Sequence, residues 1–393
     1  ATAGGMMIYN PTLEEMYVGI SYWEDSYTTY TPGYLDVDNV AASSAIYISR
    51  SESPNQGYFT TSATITDIPG SGNMWFDESY QLLYTMGMVE KSANGEKHRV
   101  AKYSVSDKEV KMISSKIGPS PEDYTTTWIT GLSNLGLVYV SHYTGSEFYK
   151  DHKIESYYTS SLTLKDTYLI EAGIYGTEGL HALASNPNNN TILAIGTDRD
   201  QDIIKSMLFN GSNLSLISTN TYANTAPGGP QGYDGAIYIP ETDCFYFRTA
   251  RQNEPPGPRK KSDGLLLVIN SDNTTNAIID LGGGDGSGAI FNSGGLAYDT
   301  KRNVIWTSVL NYNRISNTDT WFIIAIDILG NKVVKTLPQP QDLMNSSGQG
   351  IAARNFGIDV KNDKLYISDH SNQVYTIGNV MVWDLDDLWN TTV

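Results

Sequence analysis

One strand–turn–strand unit returns seven times along the 393 residues of this chain. The unit opens on a small or glycine-rich lead-in, followed by a short apolar strand, a polar turn and a second apolar strand. Gly294-Gly295-Leu-Ala-Tyr-Asp299 runs into Asn303-Val-Ile-Trp-Thr-Ser, and Phe356-Gly-Ile-Asp359 runs into Lys364-Leu-Tyr-Ile-Ser368. Near the start, Gly4-Gly5-Met-Met-Ile-Tyr-Asn10 is followed by Met16-Tyr-Val-Gly-Ile-Ser21. Further copies begin at Met74-Trp-Phe-Asp77, Thr127-Trp-Ile-Thr130, Leu180-His-Ala-Leu183 and Gly235-Ala-Ile-Tyr238. Starts near 6, 74, 127, 180, 235, 295 and 356 leave gaps of 53 to 68 residues. Each gap holds a third strand, such as Trp321-Phe-Ile-Ile-Ala-Ile-Asp327, and a fourth, such as Lys332-Val-Val-Lys-Thr-Leu337. Alternation and β-branched or aromatic enrichment mark these as strands, and no long run has a 3.6-residue period.

A small sheet of four strands cannot bury both faces alone, whereas repeated sheets packed around an axis bury one another. The repeat therefore resembles the seven-bladed β-propeller superfamily across nearly the whole chain. The fold implied is all-β, a single seven-bladed β-propeller of four-stranded antiparallel blades over 1–393. The blades expected are 6–73, 74–126, 127–179, 180–234, 235–294, 295–355 and 356–393. A β-sandwich would leave seven similarly spaced copies unexplained, and a β-helix coil uses far fewer residues per turn. Turn dipeptides fall between strands at Asn94-Gly95, Asn186-Pro187, Asn210-Gly211, Asp234-Gly235 and Asp263-Gly264. The Tyr-rich insert from Tyr22 to Val40 reads as a long loop of the first blade.

Charge and cysteine use bound the function. The chain carries 43 acidic and 26 basic residues, a net charge of −17, so nucleic acid and anionic membranes are poor partners. No apolar run is long enough to span a bilayer. The opening Ala-Thr-Ala carries the expectation of a mature end left by signal-peptide cleavage. Six Asn-x-Ser/Thr sequons, at Asn189, Asn210, Asn213, Asn273, Asn345 and Asn390, suit a glycosylated, exported surface. The single cysteine, Cys244, lies in an apolar strand and permits no internal disulfide. Together these favour a secreted or cell-surface prokaryotic protein, archaeal above other sources.

In a propeller the lead-in loops and the second-to-third-strand loops share one face. That rule collects Ser141-His142-Tyr143, Asp198-Arg199-Asp200, Arg248, Arg251, Asn311 to Asn313 and Asp369-His370, together with Glu178, His181, Asp234 and Arg354. His142, His181 and His370 with Asp369 or Glu178 form a candidate metal set for zinc or iron, although no close histidine spacing ties them. His98 and His152 read as surface residues. Alternating oxygens at Asp36, Asp38 and Asn39, at Asp198, Asp200 and Asp202, and at Asp285 carry the expectation of a structural calcium. The triple-glycine run lacks the Lys-Ser/Thr of a phosphate loop, and no Gly-x-Ser-x-Gly elbow is present. Carboxylates at Glu178, Asp198, Asp234 and Asp369 would serve a hydrolase only if they converge.

Two surface patches point to binding. Tyr22, Trp23, Tyr27, Tyr30 and Tyr34 cluster in the first-blade insert, and tyrosine and tryptophan suit protein interfaces or stacking on sugars. Arg251, Arg259, Lys260 and Lys261 form a basic, proline-rich loop in an acidic chain, fit to dock an acidic partner or a second copy. The leading expectation is a binding or assembly module engaging protein partners, copies of itself in oligomers or filaments, or glycans. The alternative is a funnel-site enzyme, either a metal-dependent oxidoreductase or lyase or a carboxylate-based hydrolase of sugars or lactones.

Overall fold

A computed structural model describes residues 7–23, 42–50, 56–58, 63–65, 73–92, 95–114, 128–144, 151–170, 179–198, 203–222, 235–252, 262–282, 295–313, 318–338, 353–369 and 380–391. They form seven four-stranded antiparallel sheets, grouped in two compact units.

The first unit, residues 1–50 and 61–173, holds three sheets. Strands β1 (Met7–Asn10), β2 (Glu15–Trp23) and β3 (Ala42–Arg50) pair in chain order. The next strand, β4 (Gln56–Tyr58), belongs to the second unit, and β5 (Ala63–Ile65) returns to complete the first sheet against β3. The second sheet is β6 (Asn73–Asp77), β7 (Leu82–Ser92), β8 (Gly95–Ser104) and β9 (Glu109–Ile113). The third is β10 (Trp128–Leu132), β11 (Leu137–Thr144), β12 (Asp151–Tyr158) and β13 (Leu164–Ile170).

The second unit, residues 51–60 and 174–393, holds four sheets. They begin with β14 (Gly179–Asn186), β15 (Thr191–Asp198), β16 (Ile203–Asn210) and β17 (Leu216–Tyr222). Next come β18 (Ala236–Ile239), β19 (Cys244–Gln252), β20 (Ser262–Asn270) and β21 (Thr275–Gly282). The sheet of β22 (Ala297–Asp299), β23 (Val304–Asn313), β24 (Thr318–Asp327) and β25 (Lys332–Pro338) follows. The last sheet is β26 (Ala353–Asp359), β27 (Lys364–Asp369) and β28 (Val380–Asp384), with β4 as its fourth strand. Helix α1 (Leu385–Asn390) ends the described chain.

The single seven-bladed propeller drawn from the sequence, each blade one unbroken stretch, is therefore corrected. The sheets divide three and four between two units, and the stretch 6–73 feeds two sheets rather than one. The physical reason lies in the last stretch, whose chain supplies only three strands. β28 would be left with an unpaired edge, and Met381, Val382 and Trp383 pair instead with Tyr58, Gly57 and Gln56.

The recurring local device is the turn between first and second strands. An Asx side chain closing the first strand accepts backbone N–H groups of the turn: Asn186 Oδ1 from Asn188 and Asn189 at 2.8 and 3.3 Å, Asp299 Oδ1 from Lys301 and Arg302 at 3.0 and 3.1 Å. Four residues after the end of the first strand the backbone turns left-handed, at Glu14, Gln81, Asn190, Asp243, Asn303 and Asp363, with φ between 51° and 57°. Gly136 holds the same place at φ 62°, where a glycine carries no steric cost. Three residues beyond each left-handed position stands a buried side chain: Tyr17, Tyr84, Tyr139, Leu193, Tyr246, Trp306 and Tyr366. Each such burial contributes roughly 1.5–3 kcal/mol.

Neighbouring sheets pack face to face within each unit. Tyr84, Met86 and Val100 of the second sheet meet Ile129, Val138 and Tyr157 of the third. Tyr246, Leu266 and Val268 meet Ile305, Ile324 and Ile326 in the second unit, and Trp306, Ile323 and Ala325 meet Phe356, Leu365 and Ile367. Gly131 lets β10 approach β6, since a Cβ there would lie 2.5 Å from the Trp75 ring. Helix α1 begins on Asp384, whose carboxylate accepts the Asp387 N–H at 3.0 Å, and sinks Leu385 and Leu388 into the last core cluster.

Candidate functional site

Each sheet has two unlike ends. At one end the first-to-second-strand turns are four residues long and are tied sideways to the next sheet. Asn10 Nδ2 donates to Gln81 Oε1 at 2.8 Å, and Gln81 Nε2 to Thr12 Oγ1 at 3.3 Å. Asn188 Nδ2 donates to the Tyr238 hydroxyl at 3.0 Å, which itself donates to Asp243 Oδ1 at 2.6 Å. Lys102 Nζ donates to the Thr159 carbonyl at 2.8 Å.

The strongest tie lies in the second unit. The Arg302 guanidinium bonds Asp299 at 2.8 Å, Asp363 at 2.6 and 2.9 Å, and Asp386 of α1, while Lys301 pairs with Asp363 and Asp386. Burial alone would raise the Asp363 carboxyl. The bonds from Arg302 and Lys301 outweigh it and hold it down at about 2. Lys335 reaches the Trp389 carbonyl and ring, and Trp389 meets Trp306 edge-on at 6.2 Å. These groups are bonded to one another, which suits them to holding sheets together.

At the opposite end the connections vary, from two residues between β7 and β8 and four between β15 and β16 and between β23 and β24 to much longer ones. Eighteen residues separate β2 from β3, nine separate β19 from β20, and fourteen separate β21 from β22 and β25 from β26. The sequence candidates stand at this end. His142 lies in β11 of the first unit, opposite Lys153. In the second unit Asp369 closes β27 opposite Ala353, and Asp198 closes β15 opposite Ile203. Tyr22 and Trp23 end β2, and Arg251 sits near the end of β19 opposite Asp263. Tyr27, Tyr30, Tyr34, Arg259, Lys260, Lys261, His370, Glu178, Asp234, Asp36, Asp38, Asn39, Asp200, Asp202 and Asp285 lie outside the described residues. Among the described residues no group of three His, Cys, Asp or Glu is placed to hold a metal.

Register adds what residue types do not show. His181 is the extra residue of a β-bulge in β14, between the pairs Leu180–Gly196 and Ala182–Ile195. Arg354 is likewise extra in β26, between Ala353–Asp369 and Asn355–Ser368. Arg248 of β19 is wholly buried, and its Nη1 donates to Thr307 Oγ1 of the next sheet at 3.3 Å.

Several groups prove structural. His152, read as a surface residue, is 2% exposed in β12, because the packed neighbours of that strand close over it. Glu155 is buried on the same strand, its carboxyl raised by burial despite accepting the Tyr157 hydroxyl at 2.5 Å. Glu15 accepts the Tyr17 hydroxyl at 2.8 Å and faces Lys108 at 3.6 Å. Cys244 is buried as its strand suggests, and burial raises its thiol pKa. Among the sequons, Asn189, Asn213 and Asn390 are exposed, Asn210 is half-buried, and Asn345 lies outside the described residues. Asn273 is 2% exposed: its Oδ1 accepts the Ser206 hydroxyl at 2.5 Å and its Nδ2 donates to Ser218 Oγ at 3.2 Å. The nitrogen that a glycan would use is committed to the contact between two sheets.

Repeated four-stranded antiparallel sheets packed face to face find their counterpart among solved structures. A chain titled Kuenenia stuttgartiensis Hydrazine Synthase is similar over 98% of this chain and 96% of its own, at TM-score 0.60 and 10% identity. The structure titled Structure of Dos1 propeller is similar over 98% of this chain and 93% of its own, at TM-score 0.50 and 10% identity. The chain has the β-propeller fold. No protein-family model and no curated protein matches it. A propeller serves binding and catalysis alike, so the fold by itself selects neither. No helix among the described residues is long and apolar enough to cross a membrane.

Proposed function

We propose that this propeller is a binding module of an exported or cell-surface protein, engaging a protein partner, a second copy or a glycan through the long-connection ends of its sheets. The observation that carries this reading is the contrast between the two ends. Short turns bonded to one another occupy one, and the longest connections, of nine to eighteen residues at β2–β3, β19–β20, β21–β22 and β25–β26, leave the other. An aromatic cluster, with Tyr27, Tyr30 and Tyr34, and a basic run, with Arg259, Lys260 and Lys261, both fall in second-to-third-strand connections. Rigid aromatic side chains with a polar tip are the usual anchors of such surfaces. The exposed sequons Asn189, Asn213 and Asn390 support an exported setting.

The test compares the wild-type chain with Y27S/Y30S/Y34S and with R259Q/K260Q/K261Q, by sedimentation velocity for self-association and by glycan array. Loss of self-association or of glycan signal in either variant, with an unchanged thermal midpoint, supports the reading. Retention of every wild-type interaction in both variants overturns it.

A second reading, a funnel-site enzyme, is supported by the strand positions of His181 and Asp369 at one end of their sheets in the second unit. The hydrazine synthase likeness adds an enzyme of the same fold. Stoichiometric zinc or iron in protein purified without chelator, lost in H181A, would favour it.

A further inference from the structure

Each four-stranded sheet leaves its fourth strand as an edge, and most of these edges are guarded. β4 and β5 are only three residues long. β9 carries Glu109 and Lys111, β13 carries Lys165 and Asp166, β21 carries Asp280, and β25 carries Lys332, Lys335 and the closing Pro338. Short length, charge and proline are the ordinary protections against edge-to-edge pairing. β17 has none of them. Leu216-Ile-Ser-Thr-Asn-Thr-Tyr222 is seven residues with no charge and no proline, rich in strand-forming types, which is the pattern of a self-pairing segment.

One face of β17 is committed to the neighbouring sheet. Ser218 Oγ accepts Asn273 Nδ2 at 3.2 Å, and Asn220 Nδ2 donates to the Asn273 carbonyl at 2.9 Å. Ile217, Thr219 and Thr221 alternate with them and are exposed, Ile217 by 53%, beside Leu216 at 41%. The turn into this strand carries two of the sequons, Asn210 and Asn213. Buried Leu214 anchors that turn, and the Asn210 carbonyl accepts its N–H at 2.8 Å. Asn213 is exposed, and its Oδ1 accepts the Ser215 N–H at 3.0 Å. That bond leaves Nδ2, the atom a glycan takes, without a partner among the described residues. Asn210, by contrast, is half-buried.

We propose that Asn213 carries an N-linked oligosaccharide that covers Leu216 and Ile217, in place of the charges that guard the other outer strands. Asn213 stands three residues before Leu216, about 10 Å of extended chain, so a branch of a few sugars reaches the exposed pair. In the transfer, Asn213 Nδ2 bonds to C1 of the sugar as the C1–O bond to a lipid-diphosphate carrier breaks. The amide gives up one proton, and the carrier leaves as its diphosphate. A bulky, solvated group beside an apolar edge blocks a second strand from docking there. The inference rests on the exported setting proposed above and is independent of the partner-binding surface, whose residues lie in other connections.

The experiment uses the intact chain secreted from a host that attaches N-linked glycans, and mass spectrometry of the peptides covering Asn210 and Asn213. Sugar is expected on wild type, S212A and S215T and not on S215A, which alone removes the Asn213 sequon. By sedimentation velocity S215A should self-associate about tenfold or more tightly than wild type. Adding I217K to S215A should reverse that gain, and adding Y27S/Y30S/Y34S should not. If S215A melts early, N213D, which keeps the side-chain acceptor of the turn, carries the comparison. A bare Asn213 in wild type, with sugar on Asn189 or Asn390, would overturn this proposal alone. Sugar on none of the sequons would overturn it together with the exported setting. Equal association of wild type and S215A, or a gain that I217K leaves in place, would overturn the shielding of β17.

Discussion

Replacing Arg302 by methionine tests how the tied ends of the sheets hold the second unit together. The guanidinium is 7% exposed and bonds the wholly buried Asp299, the largely buried Asp363 and the exposed Asp386. Methionine fills much of the same volume and supplies no charge. Asp299 keeps the Lys301 and Arg302 N–H groups and the Trp306 indole N–H at 3.4 Å, so it loses only part of its support. Asp363 loses most. Its carboxyl sits at about 2 in the folded chain, against about 3.9 unfolded, a difference worth on the order of 2 kcal/mol at neutral pH. Lys301 keeps part of that share at Asp363, and the partial loss at Asp299 adds to the rest, so R302M should cost about 2 kcal/mol. The sign follows from a depressed carboxylate: the stabilisation is fully present above the unfolded pKa and is lost as pH falls toward the folded one. The Asp363 share of the gap between wild type and R302M should therefore be full at pH 7, fall by about half near pH 3 and be mostly lost at pH 2. Guanidinium unfolding followed by tryptophan fluorescence at pH 7, 4 and 3 measures it. A gap under about 1 kcal/mol at pH 7, or one that does not narrow by pH 3, would refute the assignment of the charge to Asp363.

Three further perturbations address other joints. Gly131→Ala drives a methyl into the Trp75 ring, 2.5 Å from the built Cβ, and should cost about 1–3 kcal/mol, read as a lowered thermal midpoint; an unchanged midpoint would mean that β6 and β10 do not approach as described. Asn273→Ala removes the bonds to Ser206 and Ser218 and leaves the Ser206 hydroxyl with Tyr222 alone, which should cost about 1–3 kcal/mol in chemical unfolding. In glycosylated material the same site should yield only unmodified peptide while Asn189 or Asn213 carries sugar, and a glycan on Asn273 of folded protein would contradict its placement. Gly57→Pro deletes an N–H from β4 opposite Val382 and should speed amide exchange in β28 without changing exchange in β19, whereas equal exchange in both would argue against β4 as the closing strand.

The repeat was legible because it is written in apolar alternation. Met74-Trp-Phe-Asp77, Leu180 to Leu183 and Phe356 to Asp359 each fall within a first strand, and the aromatic at Tyr17, Tyr84, Tyr139, Tyr246, Trp306 and Tyr366 recurs in the second. The left-handed turn residue was hidden, since Glu14, Gln81, Asn190, Asp243, Asn303 and Asp363 share a conformation and no single chemistry. β4 was hidden for another reason. Gln56-Gly57-Tyr58 has no apolar run of its own and is a strand only because β28 offers it an edge. Burial of His152 and Asn273 likewise depends on neighbours far along the chain, and a sequon motif carries no information about whether its asparagine bridges two sheets. His181 and Arg354 were visible as residues, but that each is the extra residue of a bulge appears only in the register.

Binding of a partner by the long-connection ends is open to native mass spectrometry of the protein from its own source, before and after EDTA and deglycosylation. Bound copies or a bound protein at the intact mass, with no transition metal removed by EDTA, are expected. One zinc, iron or copper per chain lost with EDTA, on an unmodified monomer without partner, would contradict it and turn attention to His142, His181, Asp369 and His370.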